Sequence, residues 1–205
     1  MVFSRSGENF STRLNINNVY LQKTSVTKIL GLYITDDISW GQNCTQICIK
    51  AYSRMQIITK LKYVGVSTED LLEIYILYIR SLTEYCSVVF HSSLTIELSN
   101  KLERIQKTAL KIILGDMYID YSAALEMSGL DTLFTRRTKR CLDFAKKCTK
   151  HWKNSRLFPL NTNQQAIQVR NPEKYKVNFA RTSRYQQSTI PYCQRLLNKH
   201  HQENK

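Results

Sequence analysis

The chain is poor in several things. Only six of its 205 residues are glycine, which argues against a glycine-rich loop of the kind that cradles nucleotide phosphates. It contains no G-x-S-x-G, no Walker loop and no H-E-x-x-H, so three common catalytic classes lack their local signatures. No apolar run reaches the ~20 residues of a membrane span; the nearest, Leu71 to Leu82, is broken by Glu73 and Arg80. The opening MVFSRSGENF has no apolar signal region, so secretion is not expected. Six cysteines are present but no C-x-x-C. Cys44 and Cys48 are four apart and Cys141 and Cys148 seven apart, each pair on a helical stripe, while Cys86 and Cys193 stand alone. They read as small buried residues of a reducing compartment. A zinc site on Cys148 and His151 would need a second ligand pair, which is missing at zinc-like spacing.

Acidic residues are also scarce. Sixteen Asp and Glu face thirty Lys and Arg, giving a net charge of +14 and a pI near 9.6. Most of the excess lies in residues 116–205, which hold seventeen basic residues against seven acidic ones. Such a field attracts polyanions, most often nucleic acid. The alternative is charge that serves solubility alone.

What is present is helical periodicity over a chain long enough for one large domain or two small ones. The stretch Thr95 to Gly115 places Leu98, Leu102, Ile105, Ala109 and Ile112 on one stripe, because ~3.6 residues make a turn. Thr95 can cap its start and Gly115 can end it in a left-handed conformation. Arg104, Lys107 and Lys111 fall roughly opposite the stripe.

Upstream, residues 10–34 read as short strands. Leu14, Ile16, Val19 and Leu21 are apolar, Asn17-Asn18 suits a tight turn with positive φ, and VTKILGLYI follows. Ser39 and Gln42 are spaced as a capping box ahead of a helical stripe from Trp40 to Leu61. Ser67, with Asp70 three residues on, caps a helix to about Leu82, after which TEYCSVVFHSS continues or kinks it.

Downstream, SAALEMSG predicts two helical turns ended by Gly129, and Asp131 caps a long helix to about Lys153. Its expected core stripe is Phe134, Cys141, Ala145, Cys148 and Trp152. Arg136, Lys139, Arg140, Lys147 and Lys150 share the far side, interrupted by Asp143. NTNQQAIQVRNPEK reads as a polar loop, KYKVNFARTSRY as a candidate strand, and Pro191 begins a last short helix. The expected fold is α+β and mostly α. A β element spans 1–38, a helical bundle 39–153, and a linker with a basic C-terminal segment 154–205.

The chemistry in these elements is that of binding. Asp36-Asp37 is the only adjacent aspartate pair, and two-metal enzymes use such carboxylates. Its place before a helix start suits a turn and the helix dipole better. His91, His151, His200 and His201 have no nucleophile–base partner visible in sequence; His91 reads as an interhelical surface residue. The long basic face can track phosphates. Arg181, Arg184 and Tyr185 interleave cations with an aromatic, a pattern that suits single-strand or backbone contact.

Several spaced motifs carry a family resemblance. KILGLYITDDISW, through Ile29, Leu30-Gly31, Ile34-Thr35-Asp36 and Ile38-Ser39-Trp40, resembles a Y-L-G-hydrophobic-x-I-D-x-x-L-x-W stretch of non-LTR (LINE-type) retrotransposon reverse transcriptases. Glu84-Tyr85 and Phe90-His91 are similar to pairs in the next segment of that family. Leu102, Glu103, Gln106, Ala109, Ile112, Ile113 and Gly115 resemble its L-E-x-x-Q-x-x-A-x-x-I-I-x-G helix. Arg184-Tyr185, Ser188, Ile190-Pro191 and Leu197-Asn198 resemble its usual C-terminal end.

The resemblance covers about residues 26–198. It implies the end of the palm, the thumb and the C-terminal region of an RNA-directed DNA polymerase. The family's catalytic aspartates, its Y-x-D-D-type hairpin, its endonuclease and its zinc knuckle have no counterpart here, so this chain alone is expected to be inactive. The Mg2+ ions of the family belong to the missing palm, and no cofactor is expected in this chain. The implied partner is an RNA–DNA hybrid or another nucleic acid gripped by its backbone, with association to the missing polymerase domains, in the nucleus or cytoplasm and away from membranes. The alternative reading is a helical scaffold for protein partners.

Overall fold

The computed structural model describes residues 15–161 and 173–204. Two antiparallel hairpins come first: β1 (Asn15–Ile16) with β2 (Val19–Tyr20), and β3 (Val26–Ile29) with β4 (Leu32–Thr35). Each turns through two residues of positive φ, Asn17-Asn18 and Leu30-Gly31, which matches the right-handed twist of the strands. The first hairpin is exposed throughout. The second buries Leu32 in the main core, and its Tyr33 amide donates to Asn43 Oδ1 at 3.2 Å. Leu14 of the predicted strand lies outside the described residues.

Helix α1 (Gly41–Tyr63) buries Cys44, Cys48, Ala51, Met55 and Ile58, largely the predicted stripe. Its start differs from the expected capping box. Trp40 takes the cap position and no side chain bonds there, because the Ser39 amide is held by Thr35 Oγ1 and Asp37 Oδ1. Ser67 caps α2 (Thr68–Ile74) as predicted, its Oγ accepting from the Asp70 amide. The helix then widens into a π-helical turn, Tyr75–Arg80, and closes with α3 (Ser81–Glu84). The guanidinium of Arg54 on α1 donates to the Tyr78 carbonyl at 2.6 Å, and Thr83 Oγ1 donates to the Arg80 carbonyl. These donors satisfy carbonyls that the irregular turn leaves short of partners. Cys86, at φ 50°, then kinks the chain into α4 (Ser87–Phe90) and the short 3-10 turn His91–Ser93.

Helix α5 (Ile96–Leu114) is the centre of the packing. Thr95 caps it through the Leu98 amide, and it buries Leu102, Ile105, Gln106, Ala109, Leu110, Ile113 and Leu114. Its C-terminal carbonyls, Ile112 and Ile113, accept from Lys62 Nζ at the end of α1. Gly115 follows at φ 58°, and a Cβ there would stand 2.5 Å from that Nζ. The α6 helix (Tyr121–Ser128) ends at Gly129 in the left-handed region, as expected.

Helix α7 (Leu133–Lys150) is capped by Thr132, whose side chain accepts from the Thr135 amide. The expected cap, Asp131, instead gives its carbonyl to the side chain of Gln106. The buried stripe of α7 is Leu133, Arg137, Cys141, Ala145 and Cys148. Phe134 is 54% exposed and Trp152, beyond the helix end, is 78% exposed, so neither belongs to the core as expected.

The C-terminal region is tied to the bundle. Leu160 and Tyr175 form a single antiparallel bridge, with no strand where KYKVNFARTSRY was expected to form one. Much of the expected polar linker, residues 162–172, lies outside the described residues. After α8 (Ser183–Gln186), helix α9 (Thr189–Glu203) packs Cys193 and Leu197 against Cys141, Ala145, Cys148 and Phe158. Asn198 holds the backbone of Tyr175 with both amide atoms. The result is mostly helical with two small N-terminal hairpins, the fold class expected.

A substitution tests the α5 terminus. Gly115→Ala would place a side chain at positive φ and displace Lys62, lowering stability by about 1–2 kcal/mol. Urea denaturation should show a lower midpoint with an unchanged m-value, and most of that loss should vanish in a Lys62→Met background.

Candidate nucleic-acid interface

The predicted basic residues fall into three groups, and each has its own surroundings. On α5, Arg104, Lys107 and Lys111 are exposed, as their spacing opposite the core stripe requires. Lys107 lies over the Tyr121 ring at 4.8 Å and Lys111 over the Tyr118 ring at 5.6 Å. These contacts orient the ammonium groups while leaving them in water.

On α7, Arg136, Lys139, Arg140 and Lys147 line one groove of about 440 Å3. Val88 and Phe144 give it apolar walls, and Asp143 is its only acidic lining residue. Lys150 is exposed on the last turn, outside the groove lining. The cations of this face differ in role. Arg136 and Arg140 both bond Glu84, a carboxylate of α3 that is 4% exposed, and Arg80 approaches it at 3.7 Å. Burial pushes the Glu84 carboxyl up, but hydrogen bonds and charge from Arg136 and Arg140 outweigh this and hold it below its ordinary value. One buried anion thus binds α3 to α7 and neutralises part of the face. Lys139, Lys147 and Lys150 carry no ion pair among the described residues.

The third group, Arg181, Arg184 and Tyr185, lines the largest groove, about 820 Å3. Its other walls include Trp40 at the start of α1, Thr95 and Leu98 at the start of α5, and Phe179. Phe179 is 85% exposed and has no counterpart among the residues that sequence spacing singled out.

Beside the α7 face lies a polar cluster that spacing did not reveal. Arg137 is fully buried, its Nε 3.4 Å from His91 Nδ1 and its Nη2 3.1 Å from Ser99 Oγ, while Nη1 has no partner among the described residues. His91 is 5% exposed, so it is a core residue and not the surface histidine expected. Thr138 donates its hydroxyl to the Phe134 carbonyl, so His91 Nε2, 3.0 Å away, must donate to Thr138 Oγ1. That leaves Nδ1 to accept from Arg137, which requires a neutral ring. Burial, then the Arg137 charge, pushes its pKa down to about 4.

Two-metal chemistry finds no site at Asp36-Asp37. Asp37 Oδ1 accepts from Thr35 Oγ1 and from the Ser39 amide, and this turn, the Thr35 bond foremost, holds the carboxyl below its ordinary value. No group of three His, Cys, Asp or Glu side chains is placed to hold a metal among the described residues, and the Mg2+ of a polymerase does not fit here. No helix among them is long and apolar enough to cross a membrane.

Comparison with protein families, with characterised proteins and with solved structures returns no match.

The His91 geometry predicts a pH dependence. An unfolded His91 would titrate near 6.5 and the folded one near 4. Between those values the unfolded state binds the extra proton, so stability falls as pH drops from about 6.5 to 4, by about 3 kcal/mol in all. Thermal melts of the parent and His91→Gln across that range should converge toward low pH; a difference that stays constant would reject the neutral buried ring.

Proposed function

We propose that this chain binds nucleic acid through the sugar–phosphate backbone, as a thumb and C-terminal remnant of a non-LTR-type RNA-directed DNA polymerase without catalytic carboxylates. The observation that carries the reading is the α7 groove, where four cations converge with one acidic neighbour in the lining. A run of exposed lysines, Lys139, Lys147 and Lys150, extends along the same helix. Phosphate contacts of this kind position a duplex without reading its sequence. The cations on α5 and the C-terminal Arg181 and Arg184 would add to the attractive field. The motif resemblance supports an RNA–DNA hybrid as the ligand and a nuclear or cytoplasmic setting.

A second reading, a scaffold for a protein partner such as the remaining polymerase domains, has one observation in its favour. Ile49, Tyr52, Ile57, Leu77 and Tyr78 are exposed on α1 and the π turn, more apolar surface than α1 and that turn need to fold. The two readings differ in salt dependence, which is steep for phosphate contacts and shallow for an apolar interface.

The choice of variant follows from the ion pairs. Reversing Arg136 or Arg140 would set a carboxylate against buried Glu84 and unfold the bundle rather than test binding. Lys139→Glu, Lys147→Glu and Lys150→Glu together leave Glu84 paired. In a filter-binding titration with a labelled RNA–DNA hybrid, the triple variant should lose about tenfold or more in affinity and about three units of log–log salt slope. Unchanged affinity at low salt, with the helical circular dichroism intact, would reject this face.

A further inference from the structure

We infer that the groove between the starts of α1 and α5 and the C-terminal strap takes unpaired nucleotides, stacking their bases on Phe179 and Tyr185 and meeting their phosphates with Arg181 and Arg184. The inference rests on the nucleic-acid reading above and adds a second site to it, with a different form of the ligand.

Four observations lead there. The groove is the largest on the molecule among the described residues that line grooves, at about 820 Å3, within the roughly 300–1,000 Å3 range of pockets that hold small ligands. Its aromatic lining is unevenly exposed. Trp40 is 6% exposed and packs on Phe90 with ring centroids 5.8 Å apart, so it forms a fixed floor. Phe179 and Tyr185, at 85% and 46%, stand in solvent.

The strap that presents them is held at both sides. The Asn178 amide donates to Gln194 Oε1 in buried α9, and Asn178 Nδ2 reaches the Tyr185 hydroxyl at 3.5 Å. The Thr182 side chain caps the Tyr185 turn, Ser93 donates to the Gln187 carbonyl and Arg195 to the Gln186 carbonyl. An exposed aromatic ring on an anchored backbone offers a preorganised stacking face.

The charge on the strap complements phosphate. Arg181 and Arg184 are exposed and make no ion pair among the described residues. The nearest acid is Asp37, whose charge interacts with Arg184 but whose Oδ1 is already bonded to Thr35 and Ser39. Cations alternating with stacking rings suit a single strand. A duplex offers its backbone but keeps its base faces stacked inside, so it cannot use Phe179 and Tyr185. An acidic peptide could use the arginines and would leave both rings unexplained.

The test is fluorescence anisotropy of the full chain with a labelled dodecathymidylate and, separately, with a labelled RNA–DNA hybrid of the same length. Phe179→Ala and Tyr185→Ala should each weaken single-strand binding about tenfold and leave the hybrid within about twofold. The lysine triple variant should show the opposite pattern. An abasic oligomer of equal length should compete poorly for the single-strand site. Equal competition by that oligomer or by polyaspartate, or aromatic variants that bind thymidylate like the parent, would overturn the stacking groove while hybrid binding stood. A folded chain that binds neither ligand would overturn both readings.

Discussion

Two polar side chains one helical turn apart on α5 hold the bundle to a single arrangement. Gln106 is fully buried; it accepts from the Tyr75 hydroxyl at 2.8 Å and donates to the Tyr121 hydroxyl and the Asp131 carbonyl. Glu103 accepts from the Tyr121 hydroxyl and from the Leu133 and Phe134 amides, so its carboxylate sits on the N-terminus of α7. A negative group there meets the positive end of the helix dipole as well as its unpaired amides. Between them the two residues fix the π turn, α6 and α7 relative to α5. Apolar packing alone would tolerate sliding of these elements; directional bonds in a dry interior do not, because each broken one leaves a buried group unsatisfied.

This explains which parts of the fold were legible beforehand. Helix stripes and the caps at Thr95, Ser67 and Gly129 depend on residues within one or two turns, and spacing exposes them. Arg137 was illegible for the opposite reason. It sits at a core position of α7 only because His91 and Ser99, distant in sequence, face it, and a helical wheel places any arginine outside by default. Glu84 was likewise quoted only as part of a motif, with no hint that two arginines from α7 would close on it. The caps at Asp131 and Ser39 were misassigned where two cap-forming residues stand near each other, and tertiary bonds to Gln106 and within the Thr35–Ser39 turn decided between them.

The charged surface repeats that division. Its residue types were visible in sequence, but their roles depend on partners. Arg136 and Arg140 serve the interior through Glu84, Lys107 and Lys111 lie on tyrosine rings, and Lys139, Lys147 and Lys150 remain open to solvent. Phe179 escaped notice because a lone aromatic in an irregular segment has no periodicity; only the fold, by setting it beside Tyr185 and Trp40, gives it a context. The motif residues Glu84, His91, Glu103, Gln106 and Asn198 are all buried or bonded across the bundle, so their spacing records architecture rather than chemistry.

The π turn at Tyr75–Arg80 has a consequence for how the chain tolerates changes in length. A π turn accommodates an extra residue within an otherwise α-helical path. Removing one residue between Tyr75 and Arg80 would let the segment relax to a plain helix, which by itself is no less stable. It would also rotate everything beyond it by about 100°, carrying Glu84 away from Arg136 and Arg140 and turning Tyr75 or Ile79 out of the core. Deletions here would therefore be penalised through a contact several residues downstream, whereas the exposed turn at Val64–Gly65 could change length without disturbing any charge pair.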